Sequence, residues 1–87
     1  MDIKLLAWLK DGKYRTRILT ILRKNNRLPS ELATELDINR ASVSRILKAL
    51  SEKELVKGVS SESRTICYTI TEKGSQALKD LQDNENE

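Results

Sequence analysis

Histidine is absent from the 87-residue sequence, cysteine and proline occur once each, and glycine occurs three times. Each scarcity excludes something. Without histidine the chain lacks the commonest general base and the commonest metal ligand. A zinc site needs several Cys or His ligands, and Cys67 alone does not supply them, so no metal is expected. One cysteine also excludes a disulfide framework within the chain and leads us to expect an intracellular, cytoplasmic protein. Gly12, Gly58 and Gly74 stand too far apart to form a phosphate-cradling loop, and no cofactor is implied. With no recognisable nucleophile–base set, the chain does not read as an enzyme. So little Gly and Pro excludes collagen-like and low-complexity chains. No apolar run approaches the roughly 18 residues of a membrane span. The stretch Ile3 to Leu9 is too short for one, and it lacks the long apolar region and small-residue cleavage site of a secretory signal.

What is present suffices for one compact core. The chain is 38% hydrophobic, and a domain of this size buries only roughly 60–70% of its unfolded surface. A single domain over residues 1–87 is expected, with oligomerisation a natural way to bury more. Charge is unevenly spread. Residues 10–27 carry Lys10, Lys13, Arg15, Arg17, Arg23, Lys24 and Arg27 against Asp11 alone. Residues 28–37 are acidic through Glu31, Glu35 and Asp37; residues 38–71 are basic again, with Arg40, Arg45, Lys48, Lys53, Lys57 and Arg64 against Glu52, Glu54 and Glu62. From Glu72 onward acids prevail, ending in an acidic tail over 83–87. Two basic blocks suit a polyanion, and they suit an ordinary solvated surface equally well.

Periodicity sets the order of elements. Ile3-Lys4-Leu5-Leu6-Ala7-Trp8-Leu9 reads as a short helix ended by Asp11-Gly12, apolar on more than one face. Tyr14 to Lys24 is a second helix, with Tyr14, Ile18 and Leu22 inward and Lys13, Arg17, Thr20, Arg23 and Lys24 outward. Asn25-Asn26-Arg27 reads as a loop. Ser30 is the expected N-cap of a third helix bearing Leu32, Ala33 and Leu36, with Glu31 in its first turn. After the turn Asp37-Ile38-Asn39, Asn39 caps a helix to about Lys53 with Val43, Ile46, Leu47 and Leu50 on one face. Leu55–Val59 and Thr65–Ile70 are β-prone runs around the turn residues Ser60-Ser61-Glu62-Ser63, hence a hairpin. Thr71 caps a last helix with Ala77, Leu78 and Leu81, fraying near residue 82. The fold is therefore mainly α with a small β-hairpin, in the order helix-helix-helix-helix-hairpin-helix.

Two short helices joined by a tight turn, over Leu28 to Leu50, followed by Lys53-Glu54-Leu55-Val56 and a hairpin, resemble the winged helix-turn-helix domain. Tyr68-Thr69-Ile70-Thr71-Glu72-Lys73-Gly74 is similar to the Tyr-x-Leu-Thr-Glu-Lys-Gly segment of MarR-like and ArsR-like bacterial and archaeal regulators. The resemblance covers roughly residues 14–81. The chain departs from the pattern at Asp37 and Glu54, where these families often place glycine at a helix end that needs positive φ. The metal-sensing cysteines of the ArsR-like proteins are missing, and the hairpin tip Ser60–Ser63 lacks the Arg and Lys that commonly reach the minor groove.

The resemblance implies a sequence-specific regulator that binds double-stranded DNA. Its third helix, counted from the one at Tyr14 (about 39–53), would lie in the major groove, and the hairpin wing (about 55–70) beside it. Periodicity turns Ala41, Arg45 and Lys48 outward, with Ser42 and Ser44 on the flanks. Arg45 is the candidate base reader, Ala41 allows close approach to a thymine methyl, and Ser42 and Ser44 suit a base or a phosphate. Arg40 and Lys48, with Ser30 and Thr34, are candidates for phosphates, and Lys57 and Arg64 for the backbone beside the wing. A homodimer is expected, with Leu5, Leu6, Trp8 and Leu9 (helix 1–11) and Ala77, Leu78 and Leu81 (helix 72–82) as surplus apolar surface at its interface. Trp8 and Tyr14 are expected in the core or interface, Cys67 as a small half-buried strand residue, and Arg15 and Arg17 on a solvated face. The alternative keeps the fold as a protein–protein or RNA-binding module.

Overall fold

The computed structural model describes residues 2–60 and 65–85. Helix α1 (Ile3–Lys10) starts where Asp2 Oδ1 accepts the Leu5 N–H at 3.1 Å, and it stops at Asp11. Gly12 then opens α2 (Lys13–Lys24), which buries Ile18, Leu19 and Leu22 and exposes Lys13, Arg17, Thr20, Arg23 and Lys24 as the periodicity requires. Asn25 breaks the helix by turning extended.

Arg27, read from sequence as loop, forms an antiparallel bridge with Tyr68. Its N–H donates to the Tyr68 carbonyl at 3.1 Å, and the Tyr68 N–H donates back at 2.8 Å. A single extended residue carries no alternation of polarity, so sequence offers no signal for it.

Helix α3 (Pro29–Leu36) corrects the expected cap. Leu28, not Ser30, is the N-cap, and Ser30 lies one residue inside the helix. Pro29 takes the first helical position, where its fixed φ and missing N–H cost nothing. Glu31 Oε1 reaches back to accept the Leu28 N–H at 2.8 Å, the return bond of a capping box.

Asp37 follows in the left-handed region (φ 55), with Ile38 N–H bonded to the Ala33 carbonyl at 3.1 Å. Helix α4 (Arg40–Glu52) then begins under the expected cap: Asn39 Oδ1 accepts the Ser42 N–H at 2.8 Å. Its end repeats the pattern of α3. Glu54 is left-handed (φ 64), and the Leu55 N–H donates to the Leu50 carbonyl at 2.9 Å. Both departures from glycine therefore occupy positive-φ helix ends of the Schellman type.

Strands β1 (Val56–Ser60) and β2 (Ile66–Ile70) pair antiparallel, from Val56↔Ile70 to Ser60↔Ile66. Apart from Ser60, the expected turn residues lie outside the described residues, as does Arg64. Cys67 is half-buried, as expected. Helix α5 (Glu72–Glu85) is capped by Thr71, whose hydroxyl accepts the Gly74 N–H at 3.0 Å. It continues beyond residue 82 into the acidic segment, which contains neither Gly nor Pro to stop it.

One core joins all these elements. Leu6 and Leu9 of α1, Leu32 and Leu36 of α3, Val43, Leu47 and Leu50 of α4, Leu55 and Val56, and Ala77, Leu78 and Leu81 of α5 close around α2. No polar or charged residue is buried among the described residues. Among the described residues no helix is long and apolar enough to cross a membrane.

Candidate nucleic-acid interface

Burial of Val43, Leu47 and Leu50 fixes the rotation of α4 and so decides what it shows to solvent. Arg40, Ala41, Ser44, Arg45 and Lys48 are all exposed. The outward face thus carries three cations, and no acid precedes Glu52 on the helix. Like charges on one exposed face repel one another modestly and attract polyanions. Arg45 Nε lies 3.4 Å from the Ala41 carbonyl oxygen, so the side chain is drawn back toward the N-terminal end of the helix. Ser42 is half-buried, with its N–H held by Asn39.

Helix α3 contributes less than expected. Thr34 is exposed, but its hydroxyl donates to the Ser30 carbonyl at 3.1 Å, leaving only acceptor capacity free. Ser30 is half-buried in the first turn. A groove lined by Arg27, Ser30, Glu31, Thr34 and Glu35 runs beside these residues. It is mixed in charge, with Arg27 Nε 3.6 Å from Glu35 Oε2. Arg27 is the residue that sequence reading overlooked: the bridge to β2 places it beside α3. Lys57 is exposed on β1, one residue past the buried Val56.

The expected interface residues divide. α1 and α5 pack against each other and against α2, and Leu6, Leu9, Ala77, Leu78 and Leu81 are buried in the chain's own core. They are not surplus surface; they close this domain. Leu5 and Trp8 are half-buried, and Ile3 is 74% exposed. Leu5 and Leu6 also line a groove between α1 and α5 with Asp2, Lys73, Gln76, Ala77 and Asp80. Apolarity in a sequence announces burial, without saying which neighbour does the burying.

Among the described residues no group of three or more His, Cys, Asp or Glu forms a metal cluster.

The fold defines a class, the winged helix, and the solved structures that it resembles include a MarR family member. Lactococcus lactis ZitR, a zinc-responsive MarR family member, is 27% identical over 86% of this chain and 54% of its own, with a TM-score of 0.75. The transcriptional regulator BldR from Sulfolobus solfataricus superposes with a TM-score of 0.78 at 23% identity, covering 90% of this chain and 58% of that one. The adhesin competence repressor AdcR from Streptococcus pyogenes gives 0.77 at 17% identity, covering 97% and 67%. The last two likenesses, at low identity, concern the fold alone. The chain spans about half the length of the ZitR structures. No curated protein sequence matches it significantly. Residues 3–87 match the family model of the HVO_A0261 N-terminal domain, and the chain belongs to that family.

Proposed function

We propose that this domain binds double-stranded DNA sequence-specifically and acts as a transcriptional regulator, with α4 in the major groove and the β1–β2 wing beside it. The observation that carries the reading is the exposed face of α4, where Arg40, Arg45 and Lys48 surround Ala41 and Ser44. An α-helix fits the major groove, and base edges there distinguish all four pairs. Arg45 reads a guanine through its two parallel donors, and Ala41 leaves room for a thymine methyl. Ser42 and Ser44 reach a base or a phosphate. Arg40 and Lys48 hold phosphates and set register with the Ser30 hydroxyl, and with Thr34 once its hydroxyl turns away from the Ser30 carbonyl, while Lys57 and Arg64 hold backbone beside the wing.

A single reading helix covers few base pairs, so the protein acts as a homodimer. Ile3 and Leu5 of α1 are the large apolar side chains left for a symmetric contact, with Trp8 beside them already flanked by Arg15 and Lys53. The two reading helices then meet half-sites about 34 Å apart on a near-palindromic site.

A second reading keeps the fold and exchanges DNA for a protein partner. Val59 and Ile66, 45% and 47% exposed on the wing, favour it. Duplex binding across a salt series, repeated with Arg45→Ala, separates the two. Log affinity falling linearly with log salt, with selectivity for an enriched site lost in the variant, is the expected result. Absence of duplex binding by the unaltered protein even at low salt gives the wing to a protein partner instead.

A further inference from the structure

The C-terminal end of α4, the start of β1 and the start of α5 meet at one corner, and Thr71 bonds to both sides of it. Its hydroxyl donates to the carbonyl of the left-handed Glu54 at 2.7 Å and accepts the Gly74 N–H at 3.0 Å. Its backbone N–H donates to the Leu55 carbonyl at 3.0 Å. A Cβ on Gly74 would stand 2.2 Å from that same carbonyl oxygen, so the first turn of α5 sits directly on the Leu55 peptide. Capping α5 needs only the acceptor half of the hydroxyl. The donor half is spent on a residue seventeen positions earlier, in another element.

We propose that Thr71 is a positioning residue for DNA binding, setting the angle between the reading helix α4 and the wing. The proposal rests on the function proposed above. Glu54, Leu55 and Val56 lead into β1; Val56 pairs with Ile70, and Thr71 follows Ile70. The Thr71 N–H already ties the Leu55 carbonyl, and the hydroxyl bond to Glu54 closes a further ring that rotation about Glu54 would break. Lys57 is the next residue on β1, so its reach relative to Arg45 and Lys48 follows from this ring. The Arg27–Tyr68 bridge holds the other edge of β2. Losing the Thr71 bond therefore re-aims the wing rather than releasing it.

The test is the slope of log affinity against log salt for duplex DNA, measured on the whole chain. Lys57→Ala/Arg64→Ala, losing the two wing contacts proposed above, lowers that slope by about two. Thr71→Val keeps the shape of the side chain and loses both hydroxyl bonds. It lowers the slope by up to about two as well and adds nothing in the Lys57→Ala/Arg64→Ala background, while Thr71→Ser restores the original slope. A folded Thr71→Val protein with the original slope, whatever its melting temperature, overturns the proposal and leaves Thr71 a helix cap. So does a triple variant in which the losses add. If Thr71→Val does not fold, the same comparison is made in a Glu54→Gly background, where the left-handed residue has no Cβ to strain. If the unaltered protein binds no duplex, the functional reading fails and this proposal falls with it. That outcome differs from binding with an unchanged slope.

Discussion

The guanidinium of Arg15 lies 4.0 Å from the centroid of the Trp8 ring and donates through Nη1 to the Trp8 backbone carbonyl. On the sequence Arg15 belongs to a solvated basic face; in the structure it is half-buried and ties α2 to the end of α1. The last carbonyls of a helix lack intrahelical donors. Here Asp11 N–H takes Ala7, Gly12 N–H takes Leu9, and Arg15 takes Trp8. Gly12 makes the approach possible, since a Cβ there would meet Arg15 Cδ at 2.4 Å. The Lys53 ammonium, just past α4, stands 5.2 Å from the same ring.

Arg15→Ala should therefore destabilise the domain by about 1–2 kcal/mol, from one charge-assisted hydrogen bond and one cation–π contact. For a domain of this size that is a fall in Tm of roughly 4–16 °C. Urea unfolding followed by the fluorescence of Trp8, the single tryptophan, reads it directly. A midpoint unchanged from the original would show that the contact contributes nothing net. Arg17, exposed and 5.8 Å from the Tyr14 ring, is the control and should change stability little.

Gly74 sets two effects against each other. Helix propensity alone makes Gly→Ala stabilising by about 1 kcal/mol inside a helix. The Leu55 carbonyl, 2.2 Å from the new Cβ, cannot move without breaking its bond to Thr71 N–H. Overpacking of this kind costs about 1–3 kcal/mol. We expect the steric term to win and Gly74→Ala to lower the urea midpoint. A raised midpoint would mean that α5 slides off the Leu55 peptide with little resistance.

The homodimer has a surface test and a core control. Ile3→Glu places a charge on the exposed large apolar side chain of α1 and should leave the fold intact while sedimentation shifts from dimer to monomer. Leu78→Asp should unfold the chain outright, because its side chain is 2% exposed and an unpaired buried carboxylate is strongly unfavourable. An Ile3→Glu protein that still sediments as a dimer puts the interface elsewhere. A monomeric parent protein removes it.

Much of this molecule was legible one residue at a time. The spacing of Val43, Leu47 and Leu50 set the rotation of α4 and hence the outward Arg45 and Lys48, because a 3.6-residue period needs no partner to be seen. Asn39 and Thr71 announced themselves as caps, since a cap bonds to a backbone N–H only three residues away. The resemblance to winged-helix regulators put Asp37 and Glu54 at helix ends that need positive φ, and both are left-handed.

What the tertiary structure alone decided depends on contacts distant in the chain. No local pattern pairs Arg27 with Tyr68, folds Arg15 onto Trp8 or sends the Thr71 hydroxyl to Glu54. Even at short range, Ser30 lost the cap of α3 to a competitor, because Pro29 fits the first helical position and Glu31 reaches Leu28. The sequence determined that α1 and α5 each carry apolar residues to be buried. Only the crossing of α1, α2 and α5 decided that Leu6, Leu9, Ala77, Leu78 and Leu81 close this chain's own core, because hydrophobic burial is non-directional and any apolar neighbour satisfies it.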